Sequence, residues 1–217
     1  MNMVSSIDGR VTDGDGRSGG LGGDGDWEVY RALRALADGV LVGAGTARTE
    51  GYGPHRLTAE LAALRRDDGR PGPAAIIVVS RSLDLDPSTR LFAEAKTPTI
   101  VVTCKASMAR IDDALAEAAQ IVVAGDDEVD LADGLRQLDE RFGISRIVCE
   151  GGPVLNTAML AAGLVDELCI TIAPLVTGGD GPGIVAPPAV ATGLDLRSVC
   201  EQDGEMYIRY GVTAHGH

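Results

Sequence analysis

Two stretches place glycines where an apolar run gives way to a helical pattern. "VLVGAGTARTE" sets Gly43 and Gly45 after a strand-like run, with Thr46 opening a short helix, and "RIVCEGGPVLNTAML" sets Gly151 and Gly152 before Pro153, Val154 and Leu155. A turn without side chains lets the backbone approach a ligand, and the unpaired N–H groups at a helix start attract phosphate oxygens. Taken singly, each is as readily a tight strand-to-helix turn with no ligand. Neither completes the G-x-G-x-x-G pattern, because Arg48 stands at the third glycine position and no clear ribose-binding acid follows a next strand. "VVSRS" changes the weighing: the Ser80 hydroxyl and Arg81 guanidinium, at another strand end, suit a 2′-phosphate, as NADPH would need.

Three carboxylates are candidates for the chemistry. Asp26, at the entry of the first helix, either caps that helix or accepts hydrogen bonds from the N–H groups of a bound ring, and one residue can do both. Asp8 in "SSIDGR" either orders a loop at the nicotinamide side or is a turn-forming Asp-Gly. Glu150 closes a buried strand, where a carboxylate needs a partner. Arg34 on its own reads as an ordinary exposed helix arginine. His55, His215 and His217 form no cluster, so no metal is assigned. Cys104, Cys149, Cys169 and Cys200 lack metal or redox spacing and read as reduced core thiols.

The elements that must position these groups follow from periodicity. "VLV" at 40–42, "AIIVVS" at 75–80, "TIVVT" at 99–103, "QIVVA" at 120–124, "RIVCE" at 146–150 and "LCITIAP" at 168–174 are short and β-branched. Runs apolar on both faces and separated by helical patterns suit a mostly parallel sheet covered by helices, an α/β sandwich. A helix is expected behind Asp26, with Trp27, Tyr30, Leu33 and Ala37 on one face and Gly39 as a left-handed stop. Another is expected behind Asp130, ending at Gly143, and a third from Pro153 to Gly163. "MYIRYGV" at 206–212 alternates like an antiparallel edge or closing strand. Residues 9 to 25 hold eight glycines and almost no large apolar side chain, which reads as a mobile lid in preference to a floppy linker. The loop 174–188 is either part of the site or a surface turn region.

The 217 residues fit one α/β domain, 1–217, with 45% apolar but only 3% aromatic residues and hence an aliphatic core. Nineteen basic against thirty-two acidic residues leave a net charge of −13. That field repels nucleic acid and anionic membranes, and it makes local arginines and helix starts necessary for any phosphate ligand. No leader is expected, and no run reaches the roughly 18 apolar residues of a membrane span, so a cytoplasmic protein is expected.

"SSIDGR", "DGRSGG", "LRALADGVLVGAGTARTEGYG", "VVSRS" and "EGGPVLNTAML" with "GLVDELCITIAP" together resemble the pyrimidine reductase family of riboflavin biosynthesis, of the stand-alone actinobacterial type. The resemblance spans nearly the whole chain. It implies a dihydrofolate-reductase-like, three-layer α/β/α sandwich with a mostly parallel central sheet and an antiparallel C-terminal strand. Nothing corresponds to the zinc deaminase signature of the bifunctional members. The implied reaction is NADPH-dependent reduction of 5-amino-6-(5-phosphoribosylamino)uracil, with hydride delivered to the anomeric carbon of the ribose. The resemblance places cofactor contacts at Val4 (backbone), Thr46, Glu50, Ser80 and Gly152 to Leu155, and substrate contacts at Ser18, Arg34, Glu150 and Arg56. It places Asp26 where dihydrofolate reductase keeps its substrate-binding carboxylate, and it implies a homodimer. Many relatives carry a lysine where this chain has Asn2, so the chemistry here does not depend on that lysine. The first strand usually begins further upstream, so a trimmed or alternative start is expected. Dihydrofolate reduction and non-catalytic nucleotide binding are the alternatives. Pterin reduction should depend on Asp26, and a phosphate-anchored substrate more on Arg34.

Overall fold

The computed structural model describes residues 1–54, 56–188 and 191–213. His55, His215 and His217 lie outside the described residues. The chain forms two compact units, one of Met1–Tyr30 with the chain from Cys149 onward, the other of Arg31–Val148. Strand β1 (Asn2–Ser6) opens the first unit, and helix α1 (Asp24–Leu36) begins in it.

The second unit alternates strands and helices: β2 (Gly39–Gly43), α2 (Ala44–Thr49), α3 (Ala59–Asp67), β3 (Ala75–Val79), α4 (Arg90–Ala93), β4 (Thr99–Thr103), α5 (Asp113–Ala118), β5 (Ala119–Val123), α6 (Leu131–Phe142) and β6 (Ile147–Cys149). These strands form a parallel sheet in the order β5-β4-β3-β2-β6. Val40, Leu41, Val42, Ile77, Val78, Val101 and Val102 are buried to the last few percent, which is why their segments read as continuous apolar runs without alternation. The core is aliphatic, as composition requires, with Phe92 among Val42, Val78, Val101, Leu91 and Leu115. Buried Arg65 donates to the carbonyls of Ala35, Ala37 and Gly72, which satisfies acceptors around the C-terminal end of α1.

Two of the expected helix ends fall differently. Asp130 does cap α6, accepting from Asp133 N at 3.0 Å, and Gly143 does end it at φ 66°. Helix α1, however, starts at Asp24, so Asp26 lies inside its first turn and is not the cap. Gly39 is not a left-handed stop but the first residue of β2. A Cβ there would run into Ile77 and Ile144, so close packing, not a positive φ, selects glycine.

In the first unit, α7 (Pro153–Ala161), β7 (Glu167–Ala173), β8 (Leu194–Gln202) and β9 (Glu205–Val212) complete the chain. A separate mixed sheet runs β1-β7-β9-β8, with β1 parallel to β7 and the other pairs antiparallel. The α/β class and the antiparallel C-terminal strand are as expected, with the strands divided between two sheets. Strand β9 is interior, not an edge, because β8 pairs along its outer side. Sequence reasoning missed β8: Asp195, Arg197 and Glu201 interrupt its apolar residues, and a bulge between Leu196 and Ser198 breaks the period of two. Cys200 lies exposed on β8, so it is not a core thiol, whereas Cys104 and Cys149 are buried.

The two irregular loops of this unit hold each other. Asp8 accepts from Ser6 Oγ at 2.7 Å, Thr177 N at 3.1 Å and Gly178 N at 2.8 Å. Arg10 donates to Gly181 O at 2.7 Å, and Val11 N to Pro182 O at 3.0 Å. Fully buried Asn156 donates to Ile184 O at 2.8 Å. The glycine-rich segment is pinned as well: Val11 and Leu21 are buried, and Asp13 accepts from Asp15 N and Arg17 N. These bonds hold the Asp8 carboxyl down at about 2, led by Ser6, from an ordinary 3.8. A lowered carboxylate stabilises above its unfolded pKa and loses that contribution as pH falls through the folded one. Exchange protection of the Thr177 and Gly178 amides should therefore stay constant above about pH 4 and fall towards pH 2. Protection unchanged down to pH 2 would remove the clamp from Asp8.

Candidate functional site

In the second unit, Gly43 ends β2 and caps α2 without a side-chain hydrogen bond. Gly45 and Thr46 fall in the first turn of α2, which begins at Ala44, before the Thr46 start that the sequence suggests, and Glu50 closes it with its N–H on Thr46 O at 2.9 Å. Gly45 has open space where a Cβ would project and no positive φ. A glycine inside a helix costs about 1 kcal/mol against alanine, so neither packing nor backbone accounts for it. Ser80 is buried at the end of β3, its Oγ accepting from Leu83 N at 3.0 Å. Arg81 pairs with Glu128 at 2.7 Å, both side chains largely exposed. Arg34 is only 4% exposed, so the ordinary surface arginine is excluded, and its guanidinium lies 5.2 Å from the centre of the Tyr52 ring. Arg56 is exposed in the connection between α2 and α3.

In the first unit, Glu150 is buried, with 8% exposure. Gly151 has φ +86° and packs against the Asn156 side chain and Met3 Sδ, so it has its own structural reason to be glycine. The Gly151–Gly152 peptide is cis. Gly152 caps α7 without a side-chain bond and Pro153 takes the first-turn position, as expected. Val154, in that turn, is 75% exposed, whereas Leu155 is buried. Val4 pairs with Thr171 between β1 and β7, and Ser18 accepts from Leu21 N at 3.0 Å in a turn of the glycine-rich segment.

The same unit gathers a polar group that sequence reasoning missed. Asp26 is hydrogen-bonded by Thr171, and burial pushes its carboxyl above the ordinary 3.8, with a further push from the Glu205 charge. Glu205, 5% exposed, accepts from Gly23 N at 2.6 Å and from the Tyr207 hydroxyl. Partial burial and that bond raise the Tyr207 phenol above its ordinary value. The available signal was the charged Glu205 immediately before the alternating run 206–212. Of the three candidate carboxylates, Asp8 is a loop clamp, whereas Asp26 and Glu150 are sheltered from solvent. Among the described residues, no group of three or more His, Cys, Asp or Glu is arranged to hold a metal, and no helix is long and apolar enough to cross a membrane.

Residues 1–208 match the family described as RibD C-terminal domain. The chain is 31% identical over 98% of its length to the 2,5-diamino-6-ribosylamino-4(3H)-pyrimidinone 5′-phosphate reductase of Methanothermobacter thermautotrophicus, covering 96% of that protein. It is 28% identical over 85% of its length to the enzyme of the same name from Archaeoglobus fulgidus, covering 84% of it. Among solved structures, a pyrimidine reductase-like protein from Corynebacterium diphtheriae superposes with a TM-score of 0.85 at 28% identity, covering 99% of this chain and 91% of that one. The chain therefore belongs to the RibD C-terminal domain family, the reductases of riboflavin biosynthesis.

Proposed function

We propose that this reductase uses NADPH to reduce a 6-(phosphoribosylamino)pyrimidine to its ribityl form. The observation that carries the reading is a contrast between helix starts. Helices α3, α5 and α6 open on Thr58, Asp112 and Asp130, whose side chains accept from their own helix N–H groups; α2, α4 and α7 have no such bond, and of these α2 and α7 open on glycines, Gly43 and Gly152. Donors left to an external acceptor at strand ends suit a pyrophosphate. The unexplained glycine at position 45 fits the close approach of such a group.

When bound, NADPH would supply a hydride to the anomeric carbon, whose bond to the ring oxygen breaks as that oxygen takes up a proton. Val4, Gly43, Gly45, Thr46, Glu50 and the run Gly151 to Leu155 are the residues we assign to holding it. Arg81 would take the 2′-phosphate. Its pair with Glu128 is exposed, and exposed pairs contribute little, so the guanidinium can change partner. Ser80 keeps its hydroxyl proton to donate while accepting from Leu83. Arg34, Arg56, Ser18 and Glu150 are assigned to the substrate, with the guanidinium of Arg34 preset by Tyr52.

Asp26 is assigned to the pyrimidine ring. Ionised, it accepts from an amino group, which favours the 2,5-diamino ring for which the two archaeal relatives are named. Its raised pKa supports a second reading, because a protonated carboxyl donates to a carbonyl, as the uracil compound presents. The exposed apolar residues Leu194, Leu196 and Val199 on β8 make that strand the face we assign to a homodimer.

NADPH oxidation should be measured with both pyrimidine phosphates and with dihydrofolate. Turnover of either pyrimidine, and not of dihydrofolate, is expected. Tight NADPH binding without turnover would instead indicate a nucleotide-binding protein. Arg81→Ala should raise KM for NADPH about tenfold and leave KM for NADH unchanged; equal effects would remove the 2′-phosphate from Arg81. For the diamino ring, KM should rise as pH falls through the raised pKa of Asp26, and Asp26→Asn should flatten that limb. Leu196→Glu should yield monomer in sedimentation, and an unchanged mass would exclude β8 as the interface.

A further inference from the structure

Glu205 and Tyr207 are two residues apart on β9, so their side chains leave the strand on one side while Met206, between them, leaves on the other. Facing them is the run Gly22, Gly23, Asp24, Gly25, Asp26, where the glycine-rich segment becomes α1. Each glycine answers a specific neighbour. A Cβ on Gly25 would strike the Tyr207 hydroxyl, one on Gly22 would strike the Asp26 side chain, and one on Gly23 would lie 3.4 Å from both Glu205 oxygens. None of the three has a positive φ, and close approach, not backbone conformation, explains Gly22 and Gly25. The Glu205 carboxylate takes Gly23 N on one oxygen and the Tyr207 hydroxyl on the other. Across the β7–β9 ladder, Tyr207 pairs with Thr171, the same threonine that is bonded to Asp26.

From this arrangement we infer that Glu205, through the Gly23 N–H and the Tyr207 hydroxyl, is a positioning residue that fixes where the glycine-rich segment ends and so sets the orientation of Asp26. A charged acceptor binding a backbone N–H at 5% exposure is stronger than a neutral one and costly to leave unmade. It meets the segment at its C-terminal end, as the Asp8 and Arg10 contacts meet it at the other. The segment is therefore a loop anchored at both ends. The catalytic consequence rests on the assignment of Asp26 to the pyrimidine ring; the structural one does not.

The test uses Glu205→Ala, Glu205→Gln and Tyr207→Phe in the full chain. The glutamine carbonyl can still accept from Gly23 N while its amide donates to the Tyr207 oxygen, so this variant keeps the geometry and removes the charge. Amide hydrogen exchange across residues 21–25 should quicken about tenfold in Glu205→Ala, stay within about threefold in Glu205→Gln, and remain unchanged throughout for β4. In steady state, Glu205→Ala should raise KM for the pyrimidine phosphate while KM for NADPH holds, and Glu205→Gln should restore it. Unchanged exchange in Glu205→Ala overturns the anchor. Quickened exchange with an unchanged pyrimidine KM overturns the link to Asp26. If the wild-type chain reduces no pyrimidine, the reading of its function fails, while the exchange result still decides the anchor. Should Glu205→Ala not fold, Tyr207→Phe carries the same test, since it removes one of the two bonds that orient the carboxylate.

Discussion

A helix start needs acceptors for its first N–H groups, and in this chain α2 and α7 open on glycines, which have no side chain to offer one. At α2 the strand β2 runs directly into the helix through Gly43, and at α7 the chain passes from β6 through Glu150, Gly151 and Gly152. At α3, α5 and α6 a threonine or an aspartate performs that task. The N–H groups at α2 and α7 are left to water or to a ligand, and an anionic ligand suits them well. In a chain of net charge −13, that local attraction works against a repulsive surround. Arg34, buried against an aromatic ring, and Arg81, exposed with a replaceable partner, are the positive charges we assign to offsetting that repulsion.

The parallel sheet was legible because its strands are apolar on both faces, and a run such as Ala75–Val79 admits few other readings. The cap of α6 was legible for the same reason of local sufficiency: Asp130 and Gly143 act within their own helix. The errors arose where a residue answers to something distant in sequence. Gly39 is set by Ile77 and Ile144, and Asp26 by Thr171 and Glu205, none of which a local pattern reveals. Strand β8 escaped because its side chains are exposed and bulged, so burial wrote no period into it.

The glycine-rich segment shows how a compositional reading and a structural one can both apply. Its glycines make it poor in core-forming side chains, yet Val11 and Leu21 are buried and Asp13 organises the turn between them. Its two ends are held by carboxylates of different character. Asp8 is exposed and kept ionised by three donors, whereas Glu205 is buried and shared between a backbone amide and a phenol. Held in this way, the segment would suit the proposed reading, in which it covers a bound molecule and excludes water during hydride transfer.

The central claim is that this chain directs a hydride from NADPH to the ribose carbon of a phosphoribosylaminopyrimidine. It is tested most directly by turnover with NADPH deuterated at the transferring position of the nicotinamide, followed by mass and NMR analysis of the pyrimidine product. The account predicts one deuteron at the first carbon of the ribityl chain and none on the ring. Deuterium on the pyrimidine ring, or a reduced product without deuterium, would contradict it.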